Sequence, residues 1–186
     1  MRYSIASEAM QPSAESMDII HKSIDKIRPD LDTLNQWYEN YSKRQKKRLA
    51  FDLDHLQHYV PHESLVLEIG SIPLILTIGM SQLSYKVQGV DISPERFESA
   101  IHLNKLDIRK MDIETEKLDF ESDQFDVVLF NELFEHLRVN PIHTLGEVHR
   151  VLKPNGTLML STPNFLACET ARRVRSSPEI PAGKPR

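Results

Sequence analysis

Apolar positions along the chain change their period in a regular order. Leu65-Val66-Leu67-Glu68-Ile69 is a short apolar run ended by Gly70, which reads as a strand. Leu76, Met80 and Leu83 follow at i, i+4 and i+7, one face of a helix. Pro73 suits the first turn of that helix, because its absent N–H would be unpaired there anyway. Lys86 to Val90 is a second strand, with Asp91 at its end. Ser93 reads as an N-cap and Pro94 as the first residue of the next helix, which carries Phe97, Ala100, Ile101 and Asn104. Leu106 to Met111 is a weaker third strand. Phe125 to Phe130 is β-branched and nearly all apolar, as a central parallel strand is. Asn140 and Pro141 open a helix with Leu145, Val148 and Leu152 inward. Lys153-Pro154-Asn155-Gly156 is a turn, and Thr157 to Ser161 a fifth strand.

Before the first strand, residues 32–59 carry a helical pattern through Leu34, Tyr38, Tyr41, Leu49, Leu53 and Leu56, stopped by Pro61. Residues 1–30 are polar, with weak periodicity at Ile19, Ile20, Ile24 and Ile27, so a short or frayed helix is expected there. The expected organisation is a leader over 1–30, a helical cap over 31–64, an α/β core over 65–166 and a disordered tail over 167–186. That tail holds Arg172, Arg173, Arg175 and three prolines. Strands alternating with helices imply a parallel sheet, whose carboxyl ends share one edge, and open α/β sheets bind ligands there. Glu68 and Asp91 fall at that edge, one strand apart, at a sequence separation of 91 − 68 = 23.

Composition narrows the class. The 186 residues are 40% hydrophobic and 27% charged, an ordinary globular balance for one domain. A net charge of −4 gives no general pull toward nucleic acid or anionic membrane. Cys168 is the single cysteine, which excludes an internal disulfide and a multi-cysteine zinc site and suits a reducing compartment. No apolar run has the length of a membrane helix or the form of a signal peptide, so a cytoplasmic protein is expected. Within the cap, Lys43 to Arg48 carries five basic residues in six. It reads either as a solvated helix face or as a site for an anionic substrate.

The pattern FDVVLFNELFEHL…EVHRVLKPNGTLMLSTPN, with Glu68, Gly70 and Asp91, resembles the class I S-adenosylmethionine (SAM)-dependent methyltransferases. In that family the first strand ends in an acid followed by Gly-x-Gly-x-Gly, and the second in an acid that holds the ribose hydroxyls. Glu68, Gly70 and Asp91 match, whereas Ile72 and Leu74 stand at the other two glycine positions. The resemblance implies a three-layer Rossmann-like sandwich with parallel order 3-2-1-4-5 and helices on both faces. Strands six and seven of the family are expected to be missing, which leaves the fifth strand as an edge open to a homo-oligomer. It also implies SAM as cofactor. Glu68 and Gly70 would hold its methionine end, with Ser71 beside them. Asp91, with Ile92, would hold the ribose, Asp112 the adenine amino group and Ile113 the ring, and Asn131 would line the cleft.

Methyl transfer from a sulfonium is an in-line displacement, so positioning supplies most of the acceleration. A hydroxyl acceptor benefits from a base, and His136, at the ligand edge after the fourth strand, is the candidate. Glu132, Glu135 and His136 form E-x-x-E-H, which holds a divalent metal in some relatives, but no further histidine follows in the tail, and no metal is assigned. The expected function is methyl transfer to oxygen of a small molecule, lipid or glycan. A non-catalytic remnant acting as a binding module is the alternative, favoured by Ile72 and Leu74. An NAD(P)-dependent enzyme is disfavoured by the absent G-x-G-x-x-G.

Overall fold

The computed structural model describes residues 11–163. Five parallel strands form one sheet in the order β3-β2-β1-β4-β5. They are β1 (Leu65–Ile69), β2 (Lys86–Asp91), β3 (Asp107–Lys110), β4 (Phe125–Asn131) and β5 (Leu152–Ser161). The helices are α1 (Ala14–Asp25), α2 (Asn35–Tyr59), α3 (Ile75–Gln82), α4 (Glu98–Leu103) and α5 (Pro141–Val151). This is the expected order, and it places the carboxyl ends of β1, β2 and β4 side by side.

The central strands read as unbroken apolar runs because both of their faces are covered. Val66, Val127 and Leu129 pack into a core with α1, α2, α3 and Phe97. Leu67, Ile69, Val128 and Phe130 pack into a second core with Val148 and Val151 of α5. Successive residues of one strand thus feed opposite layers.

Several local expectations are corrected. Residues 1–30 were expected to hold only a short or frayed helix. Instead α1 is a regular twelve-residue helix, capped at Ser13, whose side chain accepts from the Ser16 N–H. Asp54 of α2 in turn accepts from the Ser13 N–H at 2.7 Å and from the Ser13 and Ser16 hydroxyls at 2.6 Å. Ile20 and Ile27 are fully buried, so the leader packs into the domain. Pro73 does not sit in the first turn of α3, because the helix begins at Ile75 after Leu74 at φ +70°. Ser93 makes no side-chain cap, and a 3-10 turn over Pro94–Phe97 precedes α4. Leu145 is 36% exposed, and Thr144, Val148 and Val151 form the buried face of α5 instead. Lys153 to Gly156 is not a free turn: β5 runs through it, with a register shift against β4 and Asn155 at φ +64°. The tail expected over 167–186 lies outside the described residues. Among the described residues, nothing pairs with the outer edge of β5, and no helix is long and apolar enough to cross a membrane.

Candidate active site

The turn after β1 is shaped by backbone geometry. Gly70 has φ +76°, and a Cβ there would lie 2.9 Å from the Leu133 side chain. Glycine alone meets both demands. Leu74, where the family pattern has glycine, also adopts positive φ. The left-handed conformation costs a non-glycine residue about 1–2 kcal/mol. Leu74 is fully buried, and burying a leucine contributes about 1.5–3 kcal/mol, which offsets that strain. The Leu74 N–H also donates to Ser71 O at 2.6 Å. The turn therefore forms with one glycine instead of three.

Two hollows flank Gly70. The deep one encloses about 30 Å³ and is lined by Tyr41 and Arg48 of α2, Glu68, Ser71 and Asn131. Glu68 is 7% exposed, and its Oε2 accepts from the Thr77 hydroxyl at 2.5 Å. Burial pushes its carboxyl up to about 8; the Thr77 hydrogen bond opposes this and the nearby Asp52 and Asp91 carboxylates add to it. Ser71 Oγ and Asn131 Nδ2 are buried and make no hydrogen bond. An unpaired buried polar atom is destabilising by about 1–3 kcal/mol, and two of them line this one chamber.

The outer hollow, of about 130 Å³, is lined by Gly70, Asp91, Ile92, Asp112, Ile113 and His136, among others. Its acids are already engaged. Asp91 Oδ1 accepts from the Ser93 N–H at 2.9 Å, and its Oδ2 accepts from the Ile72 N–H at 3.2 Å. Arg96 Nη2 stands 3.7 Å from Asp91 Oδ1. Asp112 accepts from the Glu114 N–H at 3.0 Å and the Thr115 hydroxyl at 2.8 Å, closing its own loop. Ile92 is 59% exposed. The structure thus brings Glu68, Ser71 and Asn131 together on one side of Gly70, and Asp91, Ile92, Asp112, Ile113 and His136 together on the other. Each acid keeps lone pairs free for a ligand.

His136 lies on a 3-10 turn over Phe134–His136, exposed, with Nε2 3.8 Å from Glu135 Oε1. Glu132 accepts from the Ser161 hydroxyl at 3.1 Å. Among the described residues, no three His, Cys, Asp or Glu side chains are grouped as a metal site.

Sequence reasoning read α2 as a cap and Arg48 as part of its basic run, but missed Tyr41, Asp52 and the entry of Arg48 into the deep chamber. Arg48 Nη1 donates to Asp52 Oδ2 at 2.9 Å, and its Nη2 donates to the Tyr41 hydroxyl at 3.4 Å. Burial pushes the Asp52 carboxyl up to about 6; Arg48 opposes this, Glu132 adds to it, and the Asn131 amide is near enough to lower it slightly. The available signal was a polar stripe: Tyr41, Gln45, Arg48 and Asp52 recur at i, i+4, i+7 and i+11 beside the apolar stripe. Gly89 was also overlooked. A Cβ there would lie 2.5 Å from Ile108 and 2.9 Å from Ser71, so its bareness lets the β1 turn lie on β2.

The family model described as "Methyltransferase domain" matches residues 67–160, just over half of the chain. The chain belongs to the class I SAM-dependent methyltransferase family. Similar solved structures include the PH0226 protein of Pyrococcus horikoshii, at 23% identity and TM-score 0.58, covering 72% of this chain and 59% of that one. A SAM-dependent methyltransferase of Methanosarcina mazei matches at 20% identity and TM-score 0.55, over 64% and 62% of the two chains. The [4+2]-cyclase SpnF matches at 17% identity and TM-score 0.52, over 61% of this chain and 45% of that one. Identities this low speak for the fold alone. The chain spans about half to three-fifths of the length of these structures. No curated protein matches it.

Proposed function

We propose that the chain is a SAM-dependent methyltransferase acting on oxygen of a small molecule, lipid or glycan. The observation that carries the reading is the pair of unpartnered buried polar atoms, Ser71 Oγ and Asn131 Nδ2, in one chamber with Glu68 at the ligand edge of the sheet. Such atoms suit the polar methionine end of SAM, and Arg48 beside them suits its carboxylate. Across Gly70, Asp91 would hold the ribose and Asp112 and Ile113 the adenine. SAM supplies an electrophilic methyl group when bound. The two hollows are smaller than the roughly 300–1,000 Å³ of a ligand site, so binding requires widening where Leu133 covers Gly70.

The residues of this chain orient the cofactor and hold the acceptor; no covalent intermediate on the protein is required. We assign removal of the acceptor proton to His136, exposed on the rim of the outer hollow. The single cysteine fits a cytoplasmic setting. The outer edge of β5, which nothing pairs with among the described residues, fits pairing with a second copy, and Leu158 and Leu160 on that strand are about two-fifths exposed.

The test is transfer of labelled methyl from SAM across a panel of hydroxyl and amine acceptors, with wild type and His136→Ala. Transfer to a hydroxyl acceptor that falls about 10²–10⁴-fold in the variant is expected. A second reading, a binding module without catalysis, is favoured by Ile72 and Leu74 in the turn. SAM binding with no transfer to any acceptor would support that one.

A further inference from the structure

The basic run in α2 does not form one patch. Arg48 turns to Asp52, and Lys47 Nζ meets Gln11 Oε1 at 3.4 Å. Lys43 and Lys46 leave on the opposite flank of α2, where they line a groove of about 600 Å³ between α1 and α2. That volume is in the range of small-ligand sites, roughly 300–1,000 Å³. At 3.6 residues per turn, this flank points away from the stripe that carries Tyr41 and Arg48 into the cleft. The groove is therefore separate from the cofactor site.

Its chemistry is two-sided. Ile24, Pro29 and the ring of buried Tyr38 supply apolar surface. The Tyr38 hydroxyl is occupied, donating to Ile24 O at 2.9 Å. Arg28 reaches the same groove from the connection after α1. Arg28 donates to Ile27 O at 2.7 Å. Among the described residues, Arg28, Lys43 and Lys46 form no ion pair. Glu39 is the acid of the lining, so these four groups sum to 3 − 1 = +2. The basic residues come from two segments about 15 residues apart in sequence, which a merely solvated helix face would not bring together.

We propose that this groove is a second ligand site, for an amphipathic phosphate whose apolar body lies on Tyr38 and Ile24 and whose dianion meets Arg28, Lys43 and Lys46. A soluble phosphate ester and a phospholipid headgroup share that chemistry. The test is calorimetric titration of the full chain with hexyl phosphate, inorganic phosphate and hexanol at two salt concentrations. A second arm uses phosphatidylcholine vesicles containing phosphatidic acid.

Saturable binding of hexyl phosphate, weakened by salt and about tenfold tighter than inorganic phosphate, is expected. Lys43→Gln with Lys46→Gln should weaken it about tenfold, and Glu39→Gln should tighten it. The opposite sign of the Glu39 change separates a built site from general loss of fold. Vesicle binding that the lysine variant loses, without binding of the soluble ester, would also support the site and make the headgroup its source. The proposal is overturned by no saturable binding of either probe, or by affinity that neither variant changes. Titration with SAM in the same samples reports the cleft separately, so failure of one site is not failure of the other.

Discussion

The two halves of the cleft differ in how their polar groups are satisfied. In the outer hollow, Asp91 and Asp112 each accept two hydrogen bonds from neighbouring residues. In the deep chamber, Glu68 holds a single hydroxyl, Ser71 Oγ holds nothing, and Asn131 Nδ2 has only the Asp52 carboxylate nearby, outside hydrogen-bond geometry. The first arrangement builds its loops without a ligand. The second leaves unmet groups that, on the proposed reading, a ligand's own polar atoms would complete. The same sheet edge thus combines a self-supporting half with a half that is costly without a partner.

The largest effect is expected at the hinge between the halves. Gly70→Ala combines a positive φ with a 2.9 Å approach to Leu133, and should destabilise the domain by about 3 kcal/mol in urea unfolding while abolishing cofactor binding. Next comes pH. The Glu68 carboxyl is raised from 4.5 to about 8, and that of Asp52 from 3.8 to about 6. The folded state therefore holds more protons than the unfolded chain between these limits. The stability these groups contribute is complete below about pH 4 and is lost as pH rises toward about 8. Glu68→Gln should flatten that slope by an amount on the order of 3 kcal/mol across the window, read from unfolding at several pH values.

Breaking the α2 contribution follows in size. Arg48→Met leaves Asp52 facing Glu68 and Glu132 without its cation, and should destabilise by about 2 kcal/mol, below the fully buried case because Arg48 is 24% exposed. Its effect on affinity for SAM should exceed its effect on affinity for adenosine. Asp112→Ala, in the self-supporting half, should cost only about 1 kcal/mol, measured by thermal unfolding, with the reverse preference for the two ligands.

How much of this was legible in the chain divides along the same line. The strands and the positions of Glu68 and Asp91 followed from short apolar runs ending in acids, because a strand's burial is written in its own residues. Asp91 in the outer hollow was legible for the same reason, since it ends β2, whereas Asp112 lies two residues beyond β3 and was expected only from the family resemblance. The deep chamber was half hidden. Arg48 and Asp52 come from a helix distant in sequence, and their stripe lies beside a stronger apolar one. Leu74 in a left-handed conformation was not legible either, since its strain is offset by burial in a core that only the assembled fold supplies. Leu145 shows the converse, an apolar residue at helical spacing that the sheet does not reach.

The most direct measurement is calorimetric titration of the full chain with SAM and with S-adenosylhomocysteine, for wild type, Asp91→Ala and Asn131→Ala. One-site binding by the wild type, lost in Asp91→Ala and weakened about tenfold in Asn131→Ala, is the predicted result. A folded wild-type chain that gives no heat with either ligand would contradict the central claim that this edge is a SAM site.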